Sequence, residues 1–396
     1  MSNLKTVVVG VCGGIAAYKA LDVVSRLKKK NFNVHVIMTK SAAEFVTPLS
    51  FQSLSQNMVT TDMFAEPKAF EIQHISLAKK ADLMLIVPAT ANIIGKVANG
   101  IADDMLTTTI MATTAPVVFA PAMNTNMYNN PIVKENINKL KKLNYIFISP
   151  ESGRLACGDV GEGKLADTKL ISNITYSLLY DLKDMKHKKV LVTAGPTISP
   201  IDPVRFISNK SSGKMGFAIA EEARDRGALV TLITGPTNLE CPHDINVIKV
   251  NTNEEMYEEV IKNFENQDII IKAAAVADYK SKEYSSVKIK KSSDDLNITF
   301  TRDKDILKKL GELKTHQILV GFAAESTNLL DYAALKLKQK NLDFIVANDI
   351  TSSETGFASD DNKVFIIDKE VKITSLDKMP KREVARELFN LINEKI

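Results

Sequence analysis

Cysteine is scarce: Cys12, Cys157 and Cys241 are the only three, far apart and without a CxxC pair. Neither a disulfide framework nor a structural zinc site is therefore expected, and a reducing cytoplasm fits. Nothing at the N-terminus resembles a basic stretch leading into a long apolar region with a cleavage site. Met1-Ser2-Asn3 passes almost directly into Thr6-Val7-Val8-Val9, so no signal peptide is expected. Apolar runs approaching the ~20 residues of a spanning helix are also lacking, which argues against membrane insertion. Charge of either sign barely dominates, with 51 Lys and Arg against 47 Asp and Glu. That excess implies neither nucleic acid nor a membrane surface, while phosphorylated small molecules remain compatible with it. Repeats and low-complexity segments are missing as well, which excludes solenoids and collagen-like chains.

What is present is the grammar of an α/β protein, at a length of 396 residues that exceeds one ordinary core. Short β-branched runs at 6–9, 34–38, 83–87, 117–120 and 145–148 read as buried strands alternating with helical patterns, which predicts a parallel sheet covered on both faces. Between the first two, residues 15–30 carry Leu21, Val24 and Leu27 at helical spacing and end in Lys28-Lys29-Lys30, which suits the negative end of a helix dipole. The grammar restarts at 190–193, followed by a helix at 215–226 and strands at 229–233, 268–271, 318–320, 344–346 and 364–367. Further helices are expected at 254–264, 329–340 and 382–392. The charged stretch 181–189 reads as a joint near residue 188, giving domains 1–189 and 190–396.

Strand exits carry the chemistry. The first ends in Gly10-Val11-Cys12-Gly13-Gly14 before a helix, where glycine admits close approach of a ligand and the helix N-terminus favours phosphate. It is not GxGxxG, and no acidic residue closes the second strand, so a dinucleotide is disfavoured. Thr39, Lys40 and Ser41 instead offer hydroxyls and a cation for a mononucleotide phosphate. Ala89, Thr90 and Asn92 follow the third strand, small and polar enough to admit a planar ring, although a helix cap explains them almost as well. A further exit reads Pro121-Ala122-Met123-Asn124-Thr125-Asn126-Met127-Tyr128.

With Gly13-Gly14-Ile15-Ala16-Ala17-Tyr18-Lys19, His74 in Ile-x-His-Ile-x-Leu, Asn124 in Pro-x-Met-Asn-x-x-Met, and Gly153-Arg154-Leu155-Ala156-Cys157-Gly158, the first half resembles the homo-oligomeric flavin-containing cysteine decarboxylases. Over almost its whole length the chain resembles the bifunctional phosphopantothenoylcysteine decarboxylase/phosphopantothenate–cysteine ligases of coenzyme A biosynthesis. The resemblance implies a flavodoxin-like FMN-binding domain followed by a Rossmann-like nucleotide-binding ligase domain. It implies FMN held by Gly13, Gly14, Thr39, Ser41, Ala89, Thr90 and Asn92. His74 becomes base or electrostatic organiser, Asn124 the ligand of the substrate carboxylate, and Cys157, on a glycine-rich mobile loop, the proton donor. In isolation each has a plainer explanation: a core or surface histidine, an Asx-turn, an inert thiol.

In the second half, Ala194-Gly195-Pro196-Thr197 and the stretch from Asp202 to Gly216 offer hydroxyls, glycines and a helix N-terminus, but not a Walker A order. By resemblance Arg205 and Asn209 contact phosphopantothenate or its acyl-cytidylate. Ala275, Asp278, Asp305, Ile306, Phe322, Lys336, Lys340 and a flap lysine, Lys288, are expected to bind CTP. Lys336 and Lys340 lie four apart on one helix face, and Lys304 stands where the family has proline. Magnesium is expected with CTP, its ligands unidentified, because no dense carboxylate cluster indicates a permanent cage. The implied sequence ligates 4′-phosphopantothenate to cysteine, then decarboxylates 4′-phosphopantothenoylcysteine, in a cytoplasmic homo-oligomer without nucleic acid or membrane partners. Two other readings stay open at this stage: an FMN decarboxylase with an inactive second half, and a flavin-binding regulatory or interaction protein.

Overall fold

The computed structural model describes residues 4–64, 72–291, 295–325, 328–349 and 359–395. The chain divides into two units, Met1–Tyr180 and Asp181–Ile396.

In the first unit, valine-rich β1 (Thr6–Val11) lies beside β2 (Asn33–Met38) and β3 (Leu83–Ala89), with β4 (Val117–Pro121) and the short β5 (Ile146–Phe147) beyond. All pair in parallel, in the order β2-β1-β3-β4-β5, which is the flavodoxin-like order. Side-chain alternation divides the apolar residues between two faces. Val7, Val9 and Val11 pack on one side with α1 (Lys19–Lys29), α2 (Lys40–Ala43), α3 (Pro48–Ser55) and α9 (Thr168–Leu178). Val8, Met84 and Ile86 face the other, with α4 (Gln73–Lys80), α5 (Ala91–Ala98), α6 (Met105–Ala112) and α8 (Pro131–Lys142). The short α7 (Thr125–Asn129) follows β4, and a hairpin of β6 (Glu151–Arg154) and β7 (Val160–Lys164) precedes α9.

The second unit orders its main sheet β12-β11-β8-β13-β16-β17-β18-β19. These strands are β8 (Lys189–Ala194), β11 (Leu229–Thr234), β12 (Asn246–Lys249), β13 (Ile269–Lys272), β16 (Ile318–Glu325), β17 (Phe344–Asp349), β18 (Asp361–Asp368) and β19 (Ile373–Pro380). The first six are parallel and the last two antiparallel. Counted within the unit, the parallel strands run 3-2-1-4-5-6, the Rossmann order. One face packs α10 (Lys214–Asp225) and α14 (Lys381–Asn393), the other α11 (Asn253–Phe264), α12 (Ile306–Leu313) and α13 (Leu329–Gln339). Two small antiparallel pairs, β9 (Ile198–Pro200) with β10 (Phe206–Ser208) and β14 (Tyr279–Ser281) with β15 (Phe300–Arg302), sit among the loops.

The charged stretch 181–189 opens the second unit. Met185 is fully buried in its core, and Asp184 takes the buried Arg226 guanidinium in two contacts, 2.8 Å from Nε and 2.5 Å from Nη2. Charge at this place serves a burial that hydropathy alone does not reveal. Among the described residues, no helix is long and apolar enough to cross a membrane.

Candidate functional site

The first unit reverses strand order between β1 and β3, so the loops leaving the two strands diverge at the carboxyl edge and open a crevice. A cavity of about 1360 Å³ lies there. Gly13, Gly14, Thr39, Ser41, Thr90, Asn92, Asn124 and Cys157 all line it. The walls follow from local sequence. Gly13 touches Ser41 so closely that an added Cβ would stand 2.3 Å from the serine Cβ; a side chain there would force the first two loops apart. Thr39 caps α2 by accepting from Ala42 N at 3.2 Å, and Thr90 caps α5 by accepting from Ile93 N at 3.4 Å. Two helix N-termini thus open towards the cavity, a setting that favours anions.

Two expected residues are placed elsewhere. Ala89 ends β3 with no exposed surface, its carbonyl accepting from Ala122 N at 3.0 Å. It shapes the crevice from beneath without lining it. His74 is half-buried in the first turn of α4, a helix that covers one sheet face through Leu77, and it is not among the residues lining the cavity.

Asn124 and Cys157 do meet. Asn124 Oδ1 accepts from Asn126 N at 2.8 Å, starting α7 as an Asx-turn, while its amide donates to Cys157 Sγ at 3.4 Å and to Asp159 Oδ2 at 2.7 Å. The thiol donates to the same Asp159 oxygen at 3.4 Å. The turn reading and the ligand reading of Asn124 are therefore compatible, since they use opposite ends of one amide. Cys157 sits in the turn of the β6–β7 hairpin, closed by Leu155 N to Asp159 O at 2.8 Å. Gly163, at φ 129°, brings β7 against Met123, where any Cβ would lie 2.3 Å from the Met123 carbonyl oxygen. That approach holds the hairpin beside Asn124. Asp159 has one signal in the sequence, its place two residues beyond Cys157. Cys12 also lines the cavity, but burial pushes its thiol up to about 12, so it stays protonated and unreactive.

In the second unit the reversal falls between β8 and β13. Asn209 crosses it, donating to the carbonyls of Ala275 at 3.2 Å and Val276 at 2.9 Å. Arg205 donates to buried Asp202 at 2.7 Å and to Ile289 O at 3.1 Å. Burial pushes the Asp202 carboxyl up, but the N–H groups of Val204, Arg205 and Ile289 outweigh it and hold the acid below its usual range. Arg205 and Asp202 thereby anchor the flap at Ile289, leaving Lys288 exposed beside it. Asp278 is exposed. Asp305 caps α12, accepting from Lys308 N at 3.0 Å and pairing with Lys340 at 2.9 Å. Lys336 donates to Phe322 O at 3.2 Å, and Phe322 is half-buried against the core. The Ile306 side chain is wholly buried in the core. Lys304, in the family's proline position, pairs with Glu254 and lies 4.6 Å from the Tyr257 ring centroid. Among the described residues no cluster of three or more His, Cys, Asp or Glu side chains is placed to hold a metal.

Two family models cover both units, Flavoprotein over residues 1–179 and DNA/pantothenate metabolism flavoprotein C-terminal domain over 185–396. A Borreliella burgdorferi protein, coenzyme A biosynthesis bifunctional protein CoaBC, is 47% identical over 395 residues, spanning 99% of this chain and 100% of the relative. The chain belongs to the CoaBC family. Its Bacillus subtilis relative of the same name is 48% identical, over 99% of this chain and 97% of that one. A crystal structure of the C-terminal domain of a CoaBC protein shares 43% identity, covering 54% of this chain and 97% of that one with a TM-score of 0.47. Membership makes the chain a bifunctional enzyme of coenzyme A biosynthesis with decarboxylase and ligase activities.

Proposed function

We propose that residues 181–396 join 4′-phosphopantothenate to cysteine with CTP, and that residues 1–180 then decarboxylate the 4′-phosphopantothenoylcysteine with FMN. The observation that carries the reading is the meeting of the Asn124 amide with both a thiol and a carboxylate at the edge of the crevice. On this reading a substrate carboxylate displaces Asp159 from the Asn124 amide.

The cavity fits FMN: Gly13 and Gly14 allow close approach, Thr39 and Ser41 offer hydroxyls to the phosphate, and Thr90 and Asn92 flank the space for the ring. When bound, the flavin supplies the two-electron sink that lets the cysteinyl carbon become a thioaldehyde, without which loss of CO₂ would leave an unstabilised carbanion. Asn124 orients the carboxylate, and Cys157 delivers a proton to the enethiol. Asp159 holds both groups in line before substrate arrives. His74 lies outside the cavity of its own chain, so its role as base or organiser requires a neighbouring copy or a movement of α4.

In the ligase half, the substrate carboxylate attacks the α-phosphate of CTP, pyrophosphate leaves, and the cysteine amine displaces CMP. Asn209 fixes the backbone that carries Ala275 against the nucleotide, Asp278 takes the sugar or base, Phe322 presents its ring and backbone, and Asp305 with the Ile306 backbone frames the site. Lys288, Lys336 and Lys340 neutralise the triphosphate. Magnesium enters as the CTP complex. Arg205 sets the flap and remains adjacent to the phosphopantothenate side. Exposed Val204, Phe206, Ile207, Tyr279, Tyr284, Val287 and Phe300 lie on the two small hairpins and their flanks, which supports burial against a second copy in a cytoplasmic homo-oligomer.

Given phosphopantothenate, cysteine and magnesium CTP, the purified chain is expected to release CMP and then CO₂ in equal amounts, and denaturation to release FMN identifiable by mass. Release of CO₂ without CTP from the unligated substrates would overturn the order. Asp159→Asn keeps the shape but not the charge. It should lower kcat about tenfold, through poorer supply of the proton by Cys157, while lowering KM because the competing carboxylate is gone. Steady-state decarboxylation kinetics check this; a proportional loss in kcat with unchanged KM would indicate damaged folding instead.

A further inference from the structure

Strand β13 reads Ile269-Ile270-Ile271-Lys272, and every residue of it is buried. Ile269 and Ile271 enter one core and Ile270 the other. The period of two places Lys272 on the Ile270 side, the face covered by α11, α12 and α13. Only 8% of the lysine is exposed, and its ammonium makes no hydrogen bond or ion pair among the described residues. The charged groups that act on it are Lys336 and Lys340 from α13, Asp305 from the cap of α12, and Asp278 from the loop after β13. Of these, Asp305 is already engaged with Lys340. Burial first, then the two lysines, pulls the Lys272 ammonium down to about 7.

A nearly buried cation without a partner is costly, whereas an aliphatic side chain would fit a strand of isoleucines without that cost. The position makes sense when an anion completes it. Lys272 ends its strand beside the order reversal, next to the segment Ala273 to Asp278. Resting on the nucleotide-site reading above, we propose that Lys272 is a further anion-binding residue of that site, its ammonium joining those of Lys336 and Lys340 around a phosphate of the nucleotide.

A consequence concerns protons. In the free protein the group is partly neutral near pH 7, and an arriving phosphate favours the charged form, so binding takes up protons. Affinity is greatest below pH 7, where Lys272 is charged in both states, and weakens as pH rises above 7 through the higher pKa of the complex.

Calorimetric titration of the full chain with magnesium CTP tests this, with cytidine as the ligand that lacks phosphate. Lys272→Met should weaken CTP binding about ten- to a hundredfold, leave cytidine binding unchanged, and unfold at or above the wild-type temperature. Just above neutral pH, the wild-type binding enthalpy should vary with the ionisation enthalpy of the buffer, and the variant should lose that dependence. The buffer comparison needs no variant, so a poorly folded Lys272→Met protein leaves the test standing. Wild-type affinity in a folded Lys272→Met, or a buffer-independent wild-type enthalpy, would overturn the proposal. If wild-type binding is lost in Lys288→Gln yet kept in Lys272→Met, the site reading survives and only Lys272 fails; a wild-type chain that binds no CTP sinks both.

Discussion

A fragment beginning at Asp181 should fold and form CMP without flavin, whereas one beginning at Val190 should be largely unfolded. The second unit has its own eight-stranded sheet and two cores, so separation from residues 1–180 removes none of its main sheet. Cutting nine residues later removes Asp184 and Met185. The Arg226 side chain is 1% exposed. Besides Asp184 it has Arg386 O at 3.2 Å, Asn390 Oδ1 at 3.0 Å and the Phe389 ring nearby; none of these carries a negative charge. Stranding a buried charge costs about 3–5 kcal/mol, and losing a fully buried methionine side chain adds about 2–5 kcal/mol. The total is comparable with the ~5–15 kcal/mol that holds a domain together. Urea unfolding of both fragments, followed by circular dichroism, reads the difference; coincident midpoints would show that 181–189 is a linker after all.

Cys157→Ser should split decarboxylation into a part that proceeds and a part that stops. Serine keeps the approximate size and the contacts to Asn124 and Asp159, but its hydroxyl is a far weaker acid than a thiol. Steps before protonation of the enethiol do not use the residue. Under anaerobic single-turnover conditions CO₂ should be released at near the normal rate, while 4′-phosphopantetheine falls at least about a hundredfold and the enethiol accumulates, identifiable by mass. The visible absorbance of the bound flavin, bleached in the first stage, should not recover. A folded, FMN-loaded variant that finishes product at the wild-type rate would remove Cys157 from the role of donor.

The sheet strands were legible because they are fully buried and nearly continuous in Val, Ile and Leu, as at Val7-Val8-Val9 and Ile269-Ile270-Ile271. Strand order was not, since pairing is decided between segments far apart in sequence. The hairpins escaped for a different reason. Glu151-Ser152-Gly153-Arg154 and Tyr279-Lys280-Ser281 have little apolar alternation, and tertiary contacts alone make them strands. Among site residues, those at strand exits are carried to one crevice by the fold, so motif reading found Gly13, Thr39, Thr90 and Asn124 together. Lys272 escaped because it closes an apolar run, where lysine reads as the strand's polar end; its burial is visible only once α12 and α13 cover it.

The bond between Asn124 and Asp159 also bears on how the enzyme lets go. Because Asn126 N fixes the oxygen end of the Asn124 amide, only its donor end faces the crevice, and Asp159, on the same hairpin turn as Cys157, is a tethered rival for it. On the proposed role of Asn124, a substrate wins that contest by bringing its own carboxylate. The reaction then removes the very group by which the contest was won, and the product has nothing to offer the amide when Asp159 returns. Release is thereby built into the chemistry: product inhibition should be weak in the wild type and tighter in Asp159→Asn, where no anion waits to reclaim the seat.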